Sequence, residues 1–399
     1  MNIILFDDHG RNDLLPLCYT RPCGDMRLGI LTIQEKWQHH LSQRTSWLTQ
    51  DYLKTKYTTT YTKDNTYING RLLPDENVLS AIKNLTLEHA LVQGDIVLAY
   101  RTAKNLDLEA VEQELEHPTQ YADEVSTINF CYDIFSKNGT EIEKDFALLT
   151  KGRISASLSS TNTVIGDQLF VEEGAEVEAA ILNTTKGPIY IGKNSTIMEG
   201  AMIRGPHALC EGATIKMGAK IYGDSTIGPQ CKVGGEVSNT VFFSNSNKGH
   251  DGFIGNSVVG EWCNLGADTN SSNLKNNYAF VKLWNYTKKR FINTELQFCG
   301  LIMGDHSKCG INTMFNTGTV VGVSANIFGA SFPRNFIPSF TWGGATGFAT
   351  YSLNKAYETA RIVMLRRNQE LNEIEKDILA HVHATSSEHR IWEKQTSQI

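Results

Sequence analysis

Several things this 399-residue chain lacks narrow its function before any motif is read. It has no block of Lys and Arg, and its net charge is -6, so the electrostatic footprint of a nucleic-acid binder is missing. No apolar run reaches the ~18 residues that a membrane-spanning helix needs, and the opening MNIILFDDHG meets Asp7 and Asp8 after a few apolar residues. The eight cysteines include no CxxC pair, which favours reduced thiols in a reducing compartment over a metal or disulfide framework. These absences lead us to expect a cytoplasmic protein with no nucleic-acid and no membrane partner. What remains is ordinary for a folded protein of two or three domains, 41% hydrophobic and 20% charged. An anionic small substrate must then be held by a few local cations or backbone amides.

A repeat decides the architecture. Ile191, Ile197, Ile203, Leu209, Ile215, Ile221, Ile227 and Val233 follow one another at an unbroken spacing of six. The phase returns at Met303, Cys309, Phe315, Val321 and Ile327, and Gly304, Gly310 and Gly322 follow three of these. Such repeats resemble the left-handed parallel β-helix, in which short strands form triangular turns and the aliphatic residue points inward. Stacked turns bury a core that no single repeat could form, so a prism from about Val164 to Gly329 is predicted. The rhythm lapses at SNSNKGHDGFIG, residues 244–255, around His250. It lapses again from Asp268 to Gly300, a Lys-rich insertion that suits a binding loop. Residues 354–382 lack Gly and Pro and keep helical apolar spacing, so they predict one helix with an apolar face.

The first ~140 residues alternate strand and helix patterns, which argues for a parallel α/β sheet of the nucleotide-binding type. We therefore expect a short α/β domain over 1–145, a β-helix over 146–350 with an insertion at 268–300, and a C-terminal helical segment over 351–399. Ligands of open α/β sheets bind beyond the carboxyl ends of the strands, where this chain has a long loop with Arg11, Arg21 and Arg27. Together with Arg71 these could meet phosphate oxygens, and Asp7 or Asp8 could hold a metal.

The order of strand, LLPLCYTRP loop and helix resembles the N-terminal region of sugar-1-phosphate nucleotidylyltransferases. FDDHGRND stands in place of that family's glycine-rich GxGTR loop, and Arg71 stands where the family has a magnesium-holding aspartate. Further on, GHDGFIGNSVVGEWCNLGADTNSSN, Gly249 to Asn273, is similar without a gap to the acetyltransferase domain of bifunctional N-acetylglucosamine-1-phosphate uridylyltransferases/glucosamine-1-phosphate acetyltransferases. The resemblance implies that His250 is the general base and that Asn264 and Asn273 contact substrate. An imidazole suits that task because its ordinary titration lies nearest neutrality. Phe253 and Leu274 stand where that family has tyrosines, and Ser238 where it has a phosphate-binding lysine; Arg204, Lys220, Lys248 or Lys275 could supply the cation instead. For His306 an outward polar position in the repeat is expected.

The resemblance implies a transferase of amino-sugar nucleotide synthesis. It would move acetyl from acetyl-CoA to glucosamine-1-phosphate in the prism, and join a sugar-1-phosphate to a nucleoside triphosphate in the N-domain to form UDP-N-acetylglucosamine. It also implies Mg²⁺ and a homotrimer. The alternatives are a glucose-1-phosphate thymidylyltransferase with a structural prism, or a non-catalytic trimeric sugar-nucleotide-binding protein.

Overall fold

The computed structural model describes residues 1–396, of which 394–396 by backbone conformation only. It divides into two compact units. The first comprises Met1–Met26 and Leu31–Phe130; the second comprises Arg27–Ile30 and everything from Cys131 onward.

The first unit is built on a six-stranded sheet of β1 (Asn2–Phe6), β2 (Thr45–Leu48), β3 (Asn65–Asn69), β4 (His89–Gln93), β5 (Ile96–Thr102) and β6 (Pro118–Gln120), in the order β2-β1-β3-β5-β4-β6. Strands β1, β2 and β3 are parallel, as the alternating pattern predicts. The other half departs from it, because β5 runs antiparallel to both β3 and β4. The physical reason is the two-residue Gly94-Asp95 connection, with Gly94 at φ 58°, which is too short for anything but a hairpin. Helix α1 (Ile33–Leu41) starts at a capping box in which Thr32 and Glu35 satisfy each other's backbone amides. Helix α2 (Glu76–Lys83) is capped by Asp75, and α3 (Leu108–Gln113) by Asp107.

The second unit is a parallel β-helix of the hexapeptide type. Its first face runs through Thr163–Ile165, Ile181–Asn183, Met202–Arg204 and Lys220–Ile221 to the starts of two long strands, Glu236–Phe242 and Phe253–Val259. The second face runs through Leu169–Val171, Ile189–Ile191, His207–Leu209 and Ser225–Ile227, then the ends of the long strands, then Leu301–Met303, Thr319–Val321 and Phe336–Ile337. The third is a ten-stranded sheet from Glu176–Val177 to Gly347–Thr350. All thirteen hexad residues named from the sequence point inward and are buried. Each buried Ile contributes roughly 2 kcal/mol, which makes this column the main source of stability.

Helix α4 (Cys131–Thr150), which the sequence pattern did not single out, covers the second face. Asn138 anchors it, donating to Thr226 Oγ1 at 3.0 Å and to the Asp224 carbonyl at 2.8 Å. The residues from 268 onward first make another coil, since Asn270–Ser271 pairs with Met314–Phe315. Only then does the insertion leave the prism, forming the antiparallel hairpin Lys282–Asn285/Arg290–Asn293. The single C-terminal helix expected over 354–382 is two helices, α5 (Leu353–Leu365) and α6 (Glu373–Thr385), followed by α7 (Ile391–Thr396). The break arises because Asn368 adopts φ 54° and Asn372 caps the next helix through Glu375 N.

Candidate functional site

In the first unit Asp7 with Arg11 and Asp8 with Arg71, expected as metal and phosphate ligands, form two buried ion-paired clusters. Asp7 accepts from Cys23 N at 2.8 Å and Thr49 Oγ1 at 2.6 Å, and pairs with Arg11 Nε at 3.3 Å. Arg11 also donates to the Cys18 carbonyl and to Tyr52 Oη. Asp8 accepts from Gly10 N, Asn69 Nδ2 and both Nε and Nη2 of Arg71. Arg71 spends its remaining donors on the Ile128 carbonyl and Asn129 Oδ1. Burial pushes the Asp7 carboxyl up despite Arg11. Burial also works against the charge on Asp8, but the hydrogen bonds and charge of Arg71 outweigh it and hold that carboxyl below its ordinary value.

Arg21 is buried and lies 3.7 Å from Asp25. Arg27 belongs to the second unit, where it donates to the Ile30 carbonyl. Asp8, His9 and Glu112 place ligand atoms within 4.8 Å of one another, but His9 Nδ1 is 2.6 Å from Glu112 and the Asp8 oxygens are engaged by Arg71. These residues do not fit Mg²⁺, which needs carboxylate oxygens free to coordinate.

In the second unit the site grows from a defect in the repeat. At the corner joining the third face to the first, inward residues are normally six apart, as Ile197 and Ile203 or Ile215 and Ile221 are. Between Val233 and Val237 the spacing is four, and only Gly234 and Gly235 make the turn. The next corner returns to full length with Gly249, His250, Asp251 and Gly252. His250 is exposed there, beside a shortened neighbour on one side and the Gly266–Thr269 corner on the other, where Asp268 N donates to the Asp251 carbonyl at 3.0 Å. Among the described residues no hydrogen bond engages its ring.

His250 thus stands at one edge of the first face. Asn273 stands at the opposite edge, donating from Nδ2 to Asn256 Oδ1 at 2.8 Å. The strand Phe253–Val259 begins between them, and Phe253 and Gly255 lie on the intervening face. Lys220 is two strands back from Phe253 by way of Glu236, about 10 Å at the usual interstrand spacing. Arg204 and Lys220 line one cavity of about 470 Å³ on this face, with Met202 and Tyr222. Lys220 pairs with Glu236 at 3.4 Å. Ser238 lies beside Gly255 in the same face.

Asn264 points out of the third face next to Asn247, and no hydrogen bond joins it to His250 or Asn273 among the described residues. Lys275 donates to the Phe280 carbonyl at 2.8 Å. His306 is half-buried at another corner, stacked on Trp262. Lys248 is fully buried and offers nothing to a surface phosphate.

A feature the sequence reading missed is a cleft of about 1000 Å³ between the inserted hairpin, residues 334–338 and the C-terminal residues 388–392. Trp284 stacks on Phe336 with ring centroids 4.2 Å apart, and Lys275, Lys282 and Arg334 stand around them. Lys289 is held there by Glu388 at 2.5 Å. Trp284 Nε1 is buried and has no hydrogen-bond partner among the described residues.

Residues 3–154 match the family described as sugar nucleotidyl transferase. That match and the relatives below support the resemblance read from the motifs. The bifunctional protein GlmU of Methanocaldococcus jannaschii is 32% identical over 118 residues, which is 30% of this chain and 26% of that one. The GlmU of Methanococcus aeolicus is 28% identical over 193 residues, 48% of this chain and 40% of that one. The putative uncharacterized acetyltransferase YaiX of Escherichia coli is 25% identical over 194 residues, 48% of this chain and 79% of its own. The chain therefore spans between a quarter and four-fifths of the curated relatives it matches. Among solved structures, the polySia-specific acetyltransferase NeuO is similar over 48% of this chain and 87% of its own, at 14% identity and a TM-score of 0.28. So low a score carries no argument. No helix among the described residues is long and apolar enough to cross a membrane.

Proposed function

We propose that the β-helix transfers an acetyl group from acetyl-CoA to the amine of an amino-sugar phosphate such as glucosamine-1-phosphate. The observation that carries this reading is His250, an exposed imidazole at the projecting corner beside the first face. On that same face Arg204 and Lys220 supply the positive charge an anionic sugar needs. His250 takes a proton from the ammonium, the freed amine attacks the thioester carbonyl, the carbon–sulfur bond breaks, and the CoA sulfur leaves with a proton. Asn273, across the face, donates an amide hydrogen bond to the sugar or the oxyanion, and Asn264 orients substrate from the third face. A second copy packed against the first face, as in the homotrimer the resemblance implies, would close the open side of this site.

The aromatic and cationic cleft suits the nucleotide end of acetyl-CoA, with Trp284 and Phe336 beside the base and Lys282 and Arg334 beside phosphates. In the N-terminal unit the family match supports action on a sugar nucleotide; UDP-N-acetylglucosamine formation is the wider reading that the resemblance implies. The pairing of Asp7 with Arg11 and of Asp8 with Arg71 favours binding there without metal-dependent transfer.

The test is CoA release from acetyl-CoA with glucosamine-1-phosphate, in wild type and His250→Ala. Loss of release in a folded variant supports the reading. Absence of release from wild type across amino-sugar phosphates would sink it.

A further inference from the structure

The third face keeps an inward column of Val177, Ile197, Ile215, Val233, Leu265, Cys309 and Ile327. One position in this column carries a charge. Lys248 pairs with Val233 in the ladder and occupies the inward place of the coil that ends in the His250 corner. It is 0% exposed, and its Nζ donates to the Gly234 carbonyl at 3.2 Å and the His250 carbonyl at 2.9 Å.

The shortened corner explains how a lysine fits there. Gly234 and Gly235 are two residues fewer than the neighbouring turns have, and the Lys248 ammonium lies directly against this short turn. A Cβ on Gly235 would lie 2.8 Å from Lys248 Nζ and 2.7 Å from the Gly252 carbonyl oxygen, so glycine is required beside it. Burying an ammonium is costly, and an aliphatic residue or Cys309 serves in the other coils. The charge is retained at the one corner whose backbone presents the exposed imidazole. Asp251 and Asp268 flank it at the surface and favour its charged form.

We propose that Lys248 is a positioning residue for His250: its buried ammonium ties the His250 carbonyl to the Gly234 carbonyl and fixes the direction in which the imidazole leaves the corner. This rests on the reading of His250 as the acyl-transfer base. It separates Lys248 from the surface cations, since the ammonium touches backbone only and never the substrate.

The experiment is Lys248→Met in the full chain, which fills the column with an unbranched apolar side chain. The expected result is a folded protein with unchanged KM for acetyl-CoA and a kcat lower by about 100-fold, the size of a small misplacement of a reacting group. The ring resonances of His250, assigned by their loss in His250→Ala, should also move. A folded Lys248→Met with wild-type kcat and unmoved resonances overturns the proposal. If wild type releases no CoA, the acyl-transfer reading fails by itself, and the resonances still decide whether Lys248 orients the ring. Should Lys248→Met fail to fold, Gly235→Ala keeps the lysine and crowds its ammonium; unmoved His250 resonances in that variant overturn the proposal equally.

Discussion

Removing Arg71 tests whether the buried charges of the first unit are framework or ligand sites. In Arg71→Ala the Asp8 carboxylate stays buried and keeps only Asn69 Nδ2 and Gly10 N as donors. Stripping one partner from a buried ion pair costs about 3–5 kcal/mol, because the remaining charge is left without compensation. For a unit of this size that lowers the melting temperature by roughly 10–20 °C. The pH dependence gives a second readout. The folded-state pKa of Asp8 is depressed in wild type, so its contribution is present above the unfolded carboxylate value of about 4 and is lost as pH falls through the lower folded value. Without Arg71 burial raises that carboxyl above its unfolded value, so the gap between wild type and variant should begin to narrow above about pH 4, as the variant's Asp8 protonates, and go on narrowing below it. Unfolding by urea at a series of pH values, followed through the fluorescence of buried Trp37 and Trp47 and by circular dichroism, measures both effects. A loss under about 1 kcal/mol, independent of pH and accompanied by lost nucleotide binding, would refute the framework role and return Arg71 to phosphate recognition.

Three further outcomes are expected. Burial lowers Lys248 from the usual ~10.5 to about 8 against the pull of Asp251, Asp268 and Cys309, so the unfolded chain binds more protons between those values. Burial lowers Lys308 as well, and it pushes up the thiols of Cys231, Cys263, Cys299 and Cys309, which opposes the rise, so the expectation is on the difference: the stability of wild type relative to Lys248→Met should increase from pH 8 toward pH 10 in parallel thermal melts. Gly228→Ala places a Cβ 1.5 Å from the Phe243 carbonyl oxygen, so it should destabilise by more than about 2 kcal/mol; a melting temperature equal to wild type would contradict that contact. All eight cysteines are buried, so a thiol reagent should label the native protein far more slowly than the urea-unfolded chain.

The repeat was legible because a β-helix writes its core into a fixed spacing, and each of the thirteen hexad residues is buried where the spacing put it. The parallel half of the first sheet was legible because β1 reads as an apolar run and β3 as a short β-prone segment, each followed by a helical pattern. Helix α4 escaped because it lies along the prism and includes Gly139, which lowers helical propensity; a Cβ there would fall 2.0 Å from Asp224 Oδ1. The partners of the N-terminal arginines escaped because Arg71 meets Asp8 across 63 residues of sequence. Charge in a loop beyond a strand looks the same whether it awaits phosphate or a buried carboxylate. Lys248 had the look of a loop cation because the four-residue step from Val233 to Val237 broke the register that marks an inward position.

The most direct test of the central claim is transfer of an isotope-labelled acetyl group from acetyl-CoA to an amino-sugar phosphate, with the product identified by mass spectrometry. The account predicts an N-acetylated product from wild type and none from folded His250→Ala. Equal product from both proteins would show that His250 is not the base, and no product from wild type with any amino-sugar phosphate would leave the β-helix without the activity proposed for it.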